Sequence, residues 1–204
     1  MGNAPQQIYL ASKSPRRREL LKQIGVHFTL LMVREQSLRI DVDETPLANE
    51  KPRDYVERVV RLKSDAAVRV MQARKLPPHP ILSADTTVTF NDEILGKPES
   101  VADATRILSI LSGQTHEVLT ALAVSFEHET YIAISVSQVT FAKISPDEIK
   151  RYVDTGEPMD KAGAYAIQGH AAKWITELHG SYTGVMGLPL HETAALLKNV
   201  GMVV

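Results

Sequence analysis

Ile8-Tyr9-Leu10-Ala11-Ser12-Lys13-Ser14-Pro15-Arg16-Arg17-Arg18-Glu19-Leu20-Leu21 passes from an apolar run of strand character, through a turn, into helical spacing. Leu20, Leu21 and Ile24 continue that spacing, and Gly25 closes it, so strand 7–11 leads into helix 15–25. Ser14 is a good N-cap and Pro15 suits the first helical position. Arg16, Arg17 and Arg18 then crowd the first turn, where partial positive charge and free N–H groups already reside. Cations there cost a few tenths of a kcal/mol each, about 0.3 or more. Two readings stand: a solvated basic turn, or a receptor in which hydroxyls, guanidiniums and a helix N-terminus await phosphate. The serines directly after a strand favour the second.

The chain has 204 residues, 44% hydrophobic and 23% charged, enough for one domain or two small lobes with a real core. A net charge of -1 gives no global attraction for nucleic acid polymers or membranes, so any basic site must be local. Without cysteine there is no disulfide, thiol nucleophile or thiolate metal site. Residues 1–6 read as a loose tail without a basic-then-apolar signal pattern, and Met1-Gly2 is followed by Gln6 rather than the Ser or Thr that myristoylation favours. No apolar run reaches membrane-spanning length. A cytoplasmic protein is expected.

Working outward, a strand is predicted near Phe28–Met32 and a loop over 33–53. Tyr55, Val56, Val59, Val60, Leu62, Ala66, Ala67 and Val70 mark a helix from about Arg53 to Ala73. Pro80–Phe90 is rich in β-branched residues, Asn91-Asp92 turns it, and Glu93–Leu95 pairs back. A helix follows over Val101–Leu111, then strands over Glu117–Phe126 and Tyr131–Phe141. Ser145-Pro146-Asp147-Glu148 opens another helix, here with acids in the first turn, as the dipole prefers. Asp160–Ala172 is a Gly- and Ala-rich loop, Trp174–Leu178 a short strand, Gly180–Gly187 a loop, and Leu188-Pro189-Leu190 opens a last helix to about Lys198. Helices and strands interleave, which makes the class α/β.

Asp85 lies inside an apolar strand, where a carboxylate either faces a ligand at the strand's mouth or caps. Lys97, in Gly96-Lys97-Pro98, and Lys63, on the long helix, read ordinarily as solvated charges. Glu44 belongs to the acidic loop Asp41–Thr45, which can hold a hard cation but lacks the EF-hand pattern. Gln168, in a Gly-rich loop, suits a base edge or a polar ligand, or is an ordinary turn residue. The seven histidines form no HExxH pattern. There is no P-loop, dinucleotide fingerprint or nucleophile elbow. An anion receptor, separated acids and lysines, and a polar loop together suggest metal-assisted phosphate chemistry on a small molecule.

Ala11-Ser12-Lys13-Ser14-Pro15-Arg16-Arg17 resembles the signature of the Maf family of nucleoside triphosphate pyrophosphatases. The resemblance continues through Asp43-Glu44-Thr45, Tyr55-Val56 with Arg58 and Lys63, Ser83-Ala84-Asp85-Thr86, Gly96-Lys97-Pro98 and Leu111-Ser112-Gly113. Asp160–Tyr165, Ile167-Gln168-Gly169, Gly180-Ser181-Tyr182 and Gly187–Leu190 complete it, so it covers nearly the whole chain. It implies one domain over 1–204: a mixed, strongly bent sheet with flanking helices, and two lobes around a cleft. The implied reaction takes dTTP and UTP to the monophosphate and pyrophosphate. The resemblance makes Asp85 the general base and gives Ser12, Arg16, Arg17, Lys63 and Lys97 to the phosphates. It makes Arg16, Thr86 and Gln168 the substrate-selecting positions. Glu44 with Asp85 would hold a divalent ion, Mg²⁺ with Mn²⁺ as the other possibility, and the chain would form a homodimer. The alternatives are a 7-methyl-GTP pyrophosphatase, or a nucleotide-binding regulator of cell division. Three places depart from the pattern: a long segment from about Met32 to Ile40, which makes Glu35 a competitor of Glu44; Leu62 where an acid is common; and Ala166 where glycine is frequent.

Overall fold

The structure is a computed structural model that describes residues 5–32, 34–35, 38–39 and 42–204. Residues 1–4 of the expected tail, Asp41 and the side chain of Glu35 lie outside the described residues. The chain runs β1 (Ile8–Leu10), α1 (Pro15–Gln23), β2 (Phe28–Leu30), β3 (Arg34–Glu35), β4 (Leu38–Arg39), α2 (Pro52–Ala73), β5 (Ile81–Phe90) and β6 (Glu93–Leu95). It continues with α3 (Val101–Leu111), β7 (Thr115–Phe126), β8 (Glu129–Phe141), α4 (Pro146–Val153), β9 (Ile175–His179), α5 (Tyr182–Val185) and α6 (Leu190–Asn199). The segment predicted as loop over 33–53 contains the small antiparallel ladder of β3 with β4. Two-residue strands are too short for a hydrophobic period to reveal them. The Gly- and Ala-rich stretch holds 3₁₀ turns at Glu157–Asp160, Ala162–Ala164 and His170–Trp174 around its loops. The loop expected over Gly180–Gly187 encloses the single turn of α5.

The seven-stranded sheet has the order β2-β1-β5-β7-β8-β9, with β6 also on β5. β1 lies parallel to β2 and β5; the other pairs are antiparallel. α1 forms despite its arginines because Leu20 and Leu21 are 2% and 0% exposed. Burying each is worth about 1.5–3 kcal/mol, more than the unfavourable charges cost together. Ser14 accepts from the backbone N–H of Arg17 and caps the helix as its position predicts.

Two features of β5 create a cleft. The first is its edge away from β7. That edge carries β1 at Ile81–Leu82 and β6 at Val88–Phe90, and among the described residues no strand pairs with it between these. The second is a polar break on one face. Leu82 and Ala84 of β5 pack with Leu122 and Val124 of β7 in a core that includes Ile8, Leu20 and Leu197. Val88 and Val118 pack in another core with Ile107, Phe141 and Trp174. Thr86 and Thr120, paired across the two strands, stand where these cores part. The opposite face of β7 presents Leu119, Ala121 and Ala123 to Val56, Val59 and Val60 of α2, which fixes that helix over the middle of the sheet.

Candidate active site

The gap in the edge of β5 opens into a cleft of about 1250 Å³. Its walls include Ser12, Lys13, Arg16 and Arg17 from the first turn, Glu44, Lys63, Asp85, Thr86 and Lys97. These come from five places in the sequence, and the topology gathers them on one opening.

Asp85 is 6% exposed on β5 and reaches α2, where Lys63 Nζ donates to its Oδ1 at 2.6 Å. The same ammonium lies 3.2 Å from Glu44 Oε2. Lys63 is therefore no solvated surface charge: one face of α2 is packed on the sheet, and that packing turns Lys63 toward the buried carboxylate. Its neighbour Leu62 supplies no acid, and Glu44 and Asp85 orient the lysine instead. Glu44 is exposed, but its loop is tied to α2. Arg58 donates through Nε to Glu50 Oε1 at 2.6 Å and through Nη2 to Glu50 Oε2 at 2.8 Å and Thr45 O at 3.0 Å. Tyr55 donates its hydroxyl proton to Glu44 O at 3.0 Å. Burial and the negative charge of Asp85 push the Tyr55 hydroxyl up to about 12. In the sequence Tyr55 stands out as part of a helical stripe and a motif, and Arg58 only as part of the motif; the hydrogen bonds give each a purpose.

The arginines divide. Arg17 donates through Nε to Gly187 O at 2.7 Å, through Nη1 to Ala84 O at 2.9 Å and Ser12 Oγ at 3.2 Å, and through Nη2 to Thr86 Oγ1 at 3.3 Å. A guanidinium has five N–H groups, so Arg17 keeps at most one for a ligand. It serves first as a brace, satisfying the Ala84 carbonyl on the unpaired edge of β5. Burial lowers its affinity for a proton, and the Asp85 charge opposes that. Arg16 lines the cleft and, like Lys13 and Lys97, makes no ion pair among the described residues. Two of the acids that line the cleft are matched by other bases: Asp103 lies 3.0 Å from Arg106, and Asp160 lies 2.5 Å from Lys161. Besides the braced Arg17, the basic groups of the cleft that make no ion pair among the described residues are Lys13, Arg16 and Lys97.

Ser12 Oγ accepts from Ser14 N–H and from Arg17, both at 3.2 Å, which leaves its own proton free to donate. Gln168 is different. It is exposed and does not line the cleft, whereas its neighbour Ile167 does. A tight turn closed by Gly169 N–H on Ala166 O carries it, and the Glu157 carboxylate holds the following His170 N–H at 3.2 Å. A Cβ on Gly169 would collide with that carboxylate, so a larger residue there would displace the Glu157 side chain from the His170 N–H.

The carboxylates of Glu44 and Asp85 converge on one cationic nitrogen, so a divalent ion fits their donor chemistry. Among the described residues no cluster of three acids or histidines adds to them. Waters and substrate oxygens would complete the shell of a hard cation.

The chain matches the family described as Maf-like protein over residues 7–200. It is similar to a dTTP/UTP pyrophosphatase of Dechloromonas aromatica (strain RCB), 55% identical over 196 residues that cover 95% of this chain and 97% of the relative. A protein of the same name from Aromatoleum aromaticum (strain DSM 19018 / LMG 30748 / EbN1) is 56% identical over 196 residues, 95% of each chain. Another, from Nitrosomonas europaea, is 52% identical over 196 residues, 96% of this chain and 95% of the relative.

Proposed function

The chain belongs to the Maf-like protein family, and from that membership and the cleft we propose that it hydrolyses dTTP and UTP to the monophosphate and pyrophosphate. The observation that carries the chemistry is the buried Asp85, held by Lys63 at 2.6 Å beside uncommitted Lys13, Arg16 and Lys97. Asp85 takes a proton from water, the water oxygen attacks the α-phosphorus, and pyrophosphate leaves. Lys63, Lys97 and Arg16 offset charge on the phosphates, and Ser12 donates its free proton. Arg17 holds Ser12 and Thr86 in place and offers its remaining N–H.

Maf-family pyrophosphatases are generally dependent on a divalent metal. Glu44 and Asp85 are the residues we give to it, with Mg²⁺ first and Mn²⁺ second. Bound there, the metal would supply positive charge that neutralises the charge developing on the phosphates. Thr86, Arg16 and Gln168 are the positions we assign to base selection. A glutamine offers both a donor and an acceptor to an imide edge, but from its exposed place Gln168 reaches a base only if the substrate extends past Ile167.

We further take the chain as one catalytic domain over 1–204, a homodimer, acting in the cytoplasm on free nucleotides rather than nucleic acid polymers. Among the described residues no helix is long and apolar enough to cross a membrane. The test is a pyrophosphate-release assay over purified nucleotides with Mg²⁺, Mn²⁺ or chelator. dTTP and UTP should lead, and Asp85→Asn should abolish turnover while nucleotide binding persists. Best activity on 7-methyl-GTP would overturn the choice of base. Full turnover by the Asn variant would remove Asp85 from its role, and binding without turnover by the wild type would favour a regulator.

A further inference from the structure

Thr120 of β7 is fully buried and lies behind the cleft wall, not on it. Its hydroxyl is 2.8 Å from Gly184 O and 2.9 Å from Thr86 Oγ1. A carbonyl can only accept, so Thr120 spends its single proton on Gly184. The bond between the two threonines must then run from Thr86 to Thr120. Thr86 in turn accepts from Arg17 Nη2 at 3.3 Å. Proton direction is thereby fixed along the whole row: Arg17 to Thr86, Thr86 to Thr120, Thr120 to Gly184. The row closes on itself, because Arg17 Nε also binds Gly187 O, three residues beyond Gly184. Such chains hold their polarity together, since turning the Thr120 proton toward Thr86 would leave the Thr120 and Gly184 oxygens 2.8 Å apart with no proton between them.

We infer that Thr120 is a positioning residue that makes Thr86 an acceptor, and only an acceptor, toward the cleft. Thr86 has given away its proton, and one lone pair remains for a ligand. A group that docks there must bring an N–H or O–H; a fully ionised phosphate oxygen or a bare ring nitrogen is repelled. This deepens the proposed pyrimidine selection: the imide of thymine and uracil carries a ring N–H, whereas cytosine presents a lone pair at that ring position. A residue that never touches substrate thus sets which substrate the cleft prefers.

Two arms test it. In the first, neutron diffraction on a perdeuterated crystal of the nucleotide-free protein locates the hydroxyl deuteriums. Deuterium on Thr86 pointing at Thr120, and on Thr120 pointing at Gly184 O, is expected; the reverse at Thr86 overturns the inference whatever the enzyme's substrate. In the second, kcat/KM for UTP and CTP is compared in wild type, Thr120→Val and Thr120→Ser. The valine variant keeps the shape but frees the Thr86 proton, and the UTP-to-CTP ratio should fall roughly tenfold. The serine variant keeps the hydroxyl and should restore the ratio. An unchanged ratio in an active valine variant, or a ratio lost equally in serine, overturns the inference. Should the valine variant fail to fold, the serine variant and the deuterium positions still decide. A wild type that ignores UTP sinks the proposed substrate but leaves the deuterium arm in force.

Discussion

Lys63 is the residue on which the cleft's charge balance turns. Its ammonium serves two carboxylates, and removing it leaves Asp85 buried without its partner. Lys63→Met should destabilise the protein by about 1–3 kcal/mol, and Lys63→Met with Asp85→Asn should recover part of that. Urea denaturation of the four proteins closes the cycle; full additivity would show that the contact carries no coupling. His116 makes a second residue-scale prediction. It is 1% exposed, exchanges a hydrogen bond with Tyr165 Oη at 2.8 Å, and burial lowers its affinity for a proton from 6.5 to about 4. Its folded value lies below its unfolded one, so the unfolded chain binds more protons between those pH values. Stability is therefore full above pH 6.5 and lost as pH falls toward 4, by up to about 3 kcal/mol. Unfolding free energies from pH 4 to 7 should slope less in His116→Phe than in wild type; equal slopes would place the pH dependence elsewhere. At this scale the sequence was least informative about neighbours of one type. Arg16 and Arg17 are adjacent and chemically identical, yet one is uncommitted and the other braces four acceptors. Only the folded position of Ala84, Thr86 and Gly187 separates them.

Elements were legible in proportion to their length. α2 spans 22 residues and β5 ten, long enough for a helical stripe and a β-branched run to stand out. β3, β4, α5 and the 3₁₀ turns run for only two to five residues, too few for a pattern to repeat, and their existence depends on tertiary contacts. Caps were readable because their chemistry is local. Ser145 accepts from the Glu148 N–H while the Glu148 carboxylate accepts from the Ser145 N–H, a complete capping box on α4. Ser145→Ala should cost about 1 kcal/mol, read as a lower denaturation midpoint at unchanged slope. The 3₁₀ turn Ala162–Ala164 imposes a stricter demand. Gly163 has φ +69°, and a Cβ there would lie 2.7 Å from Val88 Cγ2. Gly163→Ala combines left-handed strain with overpacking and should cost about 2–4 kcal/mol. Calorimetry should find its Tm several degrees down; an unchanged Tm would mean that the turn relaxes freely.

For the whole molecule, the arrangement of strands explains why chemistry gathers where it does. β5 exchanges one neighbour, β1, for another, β6, and between them the backbone of 84–87 has no strand partner on the side of the basic turn. The α/β class was readable from the alternation of elements and the hairpin of β5 with β6 from its Asn91-Asp92 turn, but the exchange was not, because pairing between residues 9 and 81 leaves no local trace. Asp85 could be named from the resemblance; that Lys63 binds it required the packing of α2 across the sheet. Gln168 stood out by its polar amide in a Gly-rich loop and by the resemblance, and the fold sets it outside the cleft lining. The central claim is that water activated by Asp85 attacks the α-phosphorus of a pyrimidine nucleoside triphosphate. It is tested most directly by turning over UTP in H₂¹⁸O and weighing the products. One ¹⁸O in UMP and none in pyrophosphate is the outcome predicted here; label in pyrophosphate, or release of orthophosphate, would contradict it.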